Sequence, residues 1–300
     1  MLKLINYLIV ALLPLVPKKV IGLFAKRYVA GETVPDALST SKELNDRGFV
    51  VTLDILGEHA KTAAEAKAIT DRYAALYGQI AEAGVKANIS VKPTHLGLDL
   101  GLEVCRENCF AILDAAKAQN NFLRIDMENS PYTDQTIELY RSCQGRYPSV
   151  GLVIQAYLYR SSRDITELSA APLNFRLCKG IYREAPEIAI QERQAINSNF
   201  LDLARQALTD SAYVGLATHD QGLIDSLVEL IKELGTPKEC FEFQVLYGVP
   251  MGTKLEELLE LGFKVRVYVP FGEEWYDYSI RRLKENPDIA GNVLRNLFRS

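Results

Sequence analysis

Phe49-Val50-Val51-Thr52-Leu53-Asp54-Ile55-Leu56 and, near the far end of the chain, Val265-Arg266-Val267-Tyr268-Val269-Pro270-Phe271 are short runs rich in β-branched and apolar residues. Such runs suit strands covered on both sides, as parallel strands are. Six more lie between them: Asn88–Lys92, Phe122–Met127, Gly151–Leu158, Asn174–Lys179, Tyr213–Thr218 and Cys240–Gly248. Segments of helical composition separate the runs, among them Lys61–Ala83, Leu102–Gln119, Thr133–Arg146, Ala185–Leu208 and Leu223–Leu234. Eight βα units closing on themselves predict a (β/α)8 barrel over residues 48–300, preceded by a helical arm over residues 1–47. A doubly wound open sheet is the alternative, weakened because no Gly-x-Gly-x-x-Gly follows any strand. No repeat, Gly/Ser linker or low-complexity tract divides the chain, so a single domain is expected.

Three hundred residues, 48% of them hydrophobic, are enough for one large core. The net charge of −4, with no block of Lys and Arg, argues against nucleic acid as a main partner. Five cysteines do not make a disulfide framework and suit a reducing cytoplasm. Cys105 and Cys109, four apart on one helical face, read as core packing, since no histidine stands beside them. Leu2 to Val16 is strongly apolar and is followed by Lys18-Lys19. It lacks a signal-peptide cleavage pattern, and Pro14 and Pro17 make it too short and broken for a span. Two readings stay open: a helix packed on the barrel, or an interfacial anchor that touches the inner face of a membrane.

Active sites of this fold gather at the C-terminal ends of the strands. In chain order those ends carry Asp54 and Glu58, Lys92, Asp126, Gln155, Arg176 and Lys179, Thr218 and His219, Gln244, and Tyr268. Almost every strand thus delivers a polar group to one rim, although any single one can be a solvated loop residue or half of a structural ion pair. Metal hydrolysis needs clustered ligands, and the three histidines, His59, His95 and His219, stand on separate strand ends. Neither a Gly-x-Ser-x-Gly elbow nor a Cys/His pair offers acyl transfer. Lys92 or Lys179 leaves a Schiff-base lyase open. Most of the rim offers cations and hydrogen-bonding groups, which suit an anionic substrate and a phosphate-bearing cofactor.

Nine segments in order carry a family likeness. They are Leu-Asp-Ile-Leu-Gly-Glu (53–58), Ser-Val-Lys (90–92), Arg-Ile-Asp-Met-Glu (124–128), Gln-Ala-Tyr-Leu (155–158), Arg-Leu-Cys-Lys-Gly-Ile-Tyr (176–182), Ala-Thr-His-Asp (217–220), Phe-Gln-Val-Leu-Tyr-Gly (243–248), Val-Tyr-Val-Pro-Phe-Gly (267–272) and Arg-Arg-Leu (281–283). From about Phe24 to about Pro287 the chain resembles the proline dehydrogenases. The resemblance implies a distorted barrel that binds FAD without a dinucleotide fingerprint. It also implies oxidation of L-proline to Δ1-pyrroline-5-carboxylate, with electrons passed on to a membrane quinone. By position, Asp126, Gln155, Arg176, Lys179, Gly180, Tyr182, Thr218, His219 and Gln244 resemble the family's FAD contacts. Lys92, Asp126, Leu246, Tyr268, Arg281 and Arg282 resemble its substrate pocket, and Glu58 the acidic partner that closes it. Pro93 after Lys92, and Ile181 where a smaller residue is common, are the departures.

Three geometric expectations accompany this likeness. Lys92 and Asp126, at the ends of neighbouring strands, form an ion pair. Arg281 and Arg282 clamp the substrate carboxylate, with Glu58 pairing to Arg281. That clamp requires Glu273–Lys284 to lie across the barrel mouth, because adjacent helical residues point about 100° apart. Gly180 allows close backbone approach to a cofactor.

Overall fold

The computed structural model describes residues 18–285; for Lys19, Val20, Leu23, Phe24 and residues 281–285 it describes the backbone only. Eight parallel strands close into a barrel in sequence order: β1 (Val50–Ile55), β2 (Ala87–Val91), β3 (Leu123–Ile125), β4 (Val150–Gln155), β5 (Asn174–Cys178), β6 (Tyr213–Ala217), β7 (Phe241–Leu246) and β8 (Val265–Phe271). Closure is firm at the seam, where β1 and β8 pair from Val50 opposite Arg266 to Ile55 opposite Phe271. It is thin at β3, which meets β4 only through Leu123 with Val150 and Arg124 with Gly151.

Helices α1 (Lys18–Tyr28) and α2 (Val34–Asp46) form the arm. Thr33 caps α2 through a box with Asp36, and Pro35 takes its first turn, where a missing N–H costs nothing. The outer helices are α3 (Ala63–Ala83), α4 (Leu102–Ala118), α5 (Thr133–Arg146), α6 (Ser161–Leu168), α7 (Arg193–Thr209), α8 (Gln221–Leu234) and α9 (Lys254–Glu260). α7 begins eight residues later than the Ala185 start that composition suggests. Tyr159 N–H donates to Ile188 O and Ile190 N–H to Tyr157 O, so this stretch pairs with the loop after β4 before the helix begins. The last helix, α10 (Trp275–Glu285), leaves β8 through Gly272 and packs against α1. Arg27 donates to Gly248 O beyond β7, and Ala30 N–H to Pro270 O of β8, which ties the arm and hence α10 to the C-terminal rim.

Strand parity separates two environments. Val51, Leu53 and Ile55, like Ile89, Val91, Phe175, Leu177, Val265 and Val267, are buried in the apolar core that the helices cover. The alternate residues meet inside the barrel and many are polar: Thr52 donates to Asn88 at 2.6 Å, Arg124 to Asn174 Oδ1 at 2.7 Å and Arg266 to Glu242 at 2.6 Å. Cys105 and Cys109 of α4 are fully buried in the core, the latter with its sulfur 3.4 Å from Cys143 Sγ of α5.

Candidate active site

Charge converges at the C-terminal ends of β1, β2, β3, β5 and β8. Asp126, the residue after β3, accepts from three groups: Ser90 Oγ at 2.6 Å and Arg176 Nη1 at 2.7 Å on Oδ1, and Tyr268 Oη at 2.9 Å on Oδ2. Burial raises its pKa, but Arg176 and Lys92 outweigh that and hold the carboxyl below its usual range. The Arg176 guanidinium lies 4.9 Å from the centre of the Tyr268 ring and donates through Nε to Gln244 Oε1 at 2.6 Å.

The expected Lys92–Asp126 ion pair is not formed. Lys92 Nζ instead meets Asp54 Oδ2 at 2.6 Å. Asp126 already accepts three hydrogen bonds, whereas Asp54 accepts from Tyr73 Oη of α3 on Oδ1 at 3.1 Å and turns Oδ2 to Lys92. Asp126 remains close enough to act on Lys92 through space: burial disfavours the ammonium, yet Asp54 and Asp126 together raise its pKa. Lys92 is therefore protonated at neutral pH. Asp54, one of the strand-end polar groups seen in the sequence but given no partner there, is thus the carboxylate that neutralises Lys92.

Other rim residues form a second group. Lys179 Nζ bonds Asp220 Oδ2 at 2.9 Å, and Arg193 and Asn197 converge on the same oxygen. Asp220 also caps α8, and its bonds from Lys179 foremost, then Asn197 and the Leu223 N–H, hold its carboxyl well below the usual range. Thr218 Oγ1 accepts from Asp220 N–H. His219 Nε2 accepts from Leu246 N–H at 2.8 Å, which leaves Nδ1 to carry the proton of a neutral ring. Gln155 ends β4 with its Oε1 buried and lacking a hydrogen-bond partner among the described residues. Gly180 has φ +103°, and a Cβ there would lie 2.3 Å from the Tyr157 ring, so that ring is a reason for glycine beside any cofactor. Tyr182 follows on the same loop and is half-buried, as is Glu58 on the loop after β1. Arg281 and Arg282 fall on α10, but their side chains, and with them the carboxylate clamp and the Glu58–Arg281 pair, lie outside the described residues. So do residues 1–17, which include the apolar arm.

His95, in the turn after Lys92, lies against Gly57, where a Cβ would come within 2.4 Å of its ring, and edge-on to Tyr73. Burial and then the Lys92 charge push its pKa down to about 3. Such a histidine takes up its proton in the unfolded chain first, so stability falls as pH drops below about 6.5. Between pH 6.5 and 4 this amounts to roughly 3 kcal/mol, before most carboxylates titrate. His95→Gln is expected to flatten the urea midpoint over that window; an unchanged slope would assign the loss to other groups.

Gln155 and the cations decide whether a flavin fits. Gln155 Oε1 is a buried acceptor that needs a donor such as a ring N–H, because an unmade bond there costs about 1–3 kcal/mol. Arg176 and Lys179 supply positive charge for an electron-rich ring and a pyrophosphate. The donor set suits the group.

A family model described as proline dehydrogenase matches residues 37–295. Proline dehydrogenase 1 of Bacillus subtilis (strain 168) is 37% identical over 277 residues, which cover 92% of this chain and 91% of that protein. Proline dehydrogenase of Deinococcus radiodurans is 34% identical over 284 residues, covering 92% and 90%. Among solved structures, proline utilization A (PutA) from Bdellovibrio bacteriovorus, inactivated by N-propargylglycine, superposes with a TM-score of 0.81 at 25% identity. That match covers 89% of this chain and 33% of the PutA chain, so this chain spans about a third of that protein. With a closed eight-stranded barrel and its charged groups gathered at one rim, the chain belongs to the proline dehydrogenase family.

Proposed function

We propose that this enzyme binds FAD, oxidises L-proline to Δ1-pyrroline-5-carboxylate and passes the electrons on to a quinone. The observation that carries the reading is the Asp126 cluster, in which a carboxylate, a guanidinium and the Tyr268 phenol meet at the barrel mouth, together with the buried Gln155 oxygen that has no partner among the described residues. FAD, when bound, supplies the two-electron acceptor for the hydride that leaves the proline ring. Gln155, Arg176 and Gln244 would hold the ring, and Lys179, Thr218 and His219 would face the phosphates, with Gly180 and Tyr182 on the same loop. Lys92 and Asp126 orient substrate, Tyr268 and Leu246 bound its ring, and Arg281 and Arg282 bind its carboxylate with Glu58 closing over it. The proline amine must lose a proton as the C=N bond forms. Lys92, already protonated, orients the amine and does not act as the first base.

Among the described residues no helix is long and apolar enough to cross a membrane. Peripheral contact through residues 1–17, on the cytoplasmic side, is the form of membrane association that suits a quinone acceptor.

An absorbance titration tests the reading. The purified protein is expected to show a flavin band that bleaches on adding proline, and heat release is expected to yield FAD. Arg281→Met is expected to need roughly 30-fold more proline for the same bleaching, since truncating one partner of a buried charge pair costs about 2–5 kcal/mol. A colourless protein, or recovered FMN, would overturn the FAD assignment; an unchanged titration in the variant would remove the clamp.

A further inference from the structure

One layer below the site, the barrel interior holds a second set of charges. Glu242 of β7 is buried and accepts four hydrogen bonds: from Arg266 Nε at 2.6 Å and Nη2 at 3.0 Å, from Tyr213 Oη at 2.9 Å, and from Gln244 Nε2 at 2.6 Å. Arg266 is itself fixed by donating to Val51 O at 2.7 Å. Burial disfavours the Glu242 charge, but Arg266 outweighs it and brings the carboxyl down to about 2.

Gln244 stands between this layer and the active site. A glutamine side chain can turn its oxygen and nitrogen end for end with little change of shape, so its neighbours decide which faces where. Glu242 as an anion can only accept, and it draws the Nε2 side toward itself. Oε1 is thereby left facing Arg176 Nε at 2.6 Å. The backbone of β6 closes the remaining side, since a Cβ on Gly215 would come 2.3 Å from Gln244 Nε2. Were the amide reversed, its NH2 would meet the guanidinium, donor against donor. Arg176 would then keep its Asp126 bond and lose the second contact that sets its direction.

We propose that Glu242 is a positioning residue: through Gln244 it fixes the Arg176 guanidinium, and so determines how strongly the site favours the reduced form of the bound flavin. This rests on the FAD reading above. The competing account makes Glu242–Arg266 only a brace across β7 and β8.

The sign of one measurement separates the two. Removing a buried negative charge raises a nearby flavin's midpoint potential by direct electrostatics, whereas misdirecting Arg176 withdraws a cation and lowers it. The double variant Glu242→Met/Arg266→Met removes both charges, so the direct effects cancel, and apolar replacement of a buried pair is often tolerated by the fold. Gly215→Ala displaces the Gln244 amide and changes no charge at all.

In reductive titrations of the flavin-loaded proteins, both variants are expected to favour reduced over oxidised flavin roughly tenfold less than the parent. For a two-electron couple that is a fall of about 30 mV. An unshifted or raised potential in either variant overturns the positioning role. Should the double variant fail to fold, Glu242→Gln takes its place: loss of the charge alone raises the potential, so a fall supports the positioning role and an unshifted or raised potential overturns it. A parent protein without flavin would overturn the FAD reading and this inference with it, whereas flavin at an unshifted potential overturns this inference only.

Discussion

Asp126→Ala is expected to lower kcat/KM for proline by at least about 100-fold and to destabilise the protein by about 3–5 kcal/mol. Asp126 gathers Ser90, Arg176 and Tyr268 on its two oxygens, so its loss frees three groups at once. Arg176 is 9% exposed at its side chain. It stays a buried, half-compensated cation, and the full penalty applies. Asp126→Asn keeps an acceptor for Tyr268 and is expected to retain more stability than activity. Steady-state kinetics with a dye acceptor, alongside a thermal midpoint, read both effects. Near-parental kcat/KM in Asp126→Ala would remove the carboxylate from the reaction.

Lys92→Ala is expected to lower kcat/KM by about 30-fold or more with flavin retained. Its stability cost should fall toward the lower end of about 3–5 kcal/mol, because the group left behind, Asp54, can shed its charge by taking up a proton. Burial already raises the pKa of Asp54 from its ordinary value despite Lys92 beside it. Without Lys92 that carboxyl is expected to take up a proton and stay neutral, still bonded to Tyr73. The sign follows: a group whose folded pKa is raised resists ionisation in the folded state, so the variant is most stable below the ordinary carboxylate pKa and loses stability as pH rises from there to the raised folded value. Lys92→Met/Asp54→Asn is expected to recover the stability and not the turnover. Recovery of both would make the pair a structural brace.

The contrast between these two carboxylates was not visible in the chain. Asp54 and Asp126 occupy equivalent strand ends, and register alone favoured joining Lys92 to Asp126. Side-chain reach decided otherwise: Ser90, Arg176 and Tyr268 surround Asp126, and the Lys92 ammonium lies against Asp54. The start of α7 has a similar lesson. Helical composition from Ala185 onward is a local property, and backbone bonds to the loop after β4 overrode it until Arg193. Glu242, Arg266 and Arg124 lie two residues before Gln244, Tyr268 and Asp126, on the same inward parity. Attention to period two would have found them, but charged residues inside a barrel run against its usual apolar filling.

By itself, the sequence determined the eight-unit barrel and the rim at which polar groups would gather. Those follow from local periodicity and from strand direction, which repeat from unit to unit and need no knowledge of distant partners. Only the tertiary structure decided which charge neutralises which: Lys92 with Asp54, Arg176 with Asp126, Arg266 with Glu242. Buried ion pairs are chosen by the few ångströms between side-chain tips after the barrel has closed, and that separation is set by all eight strands together.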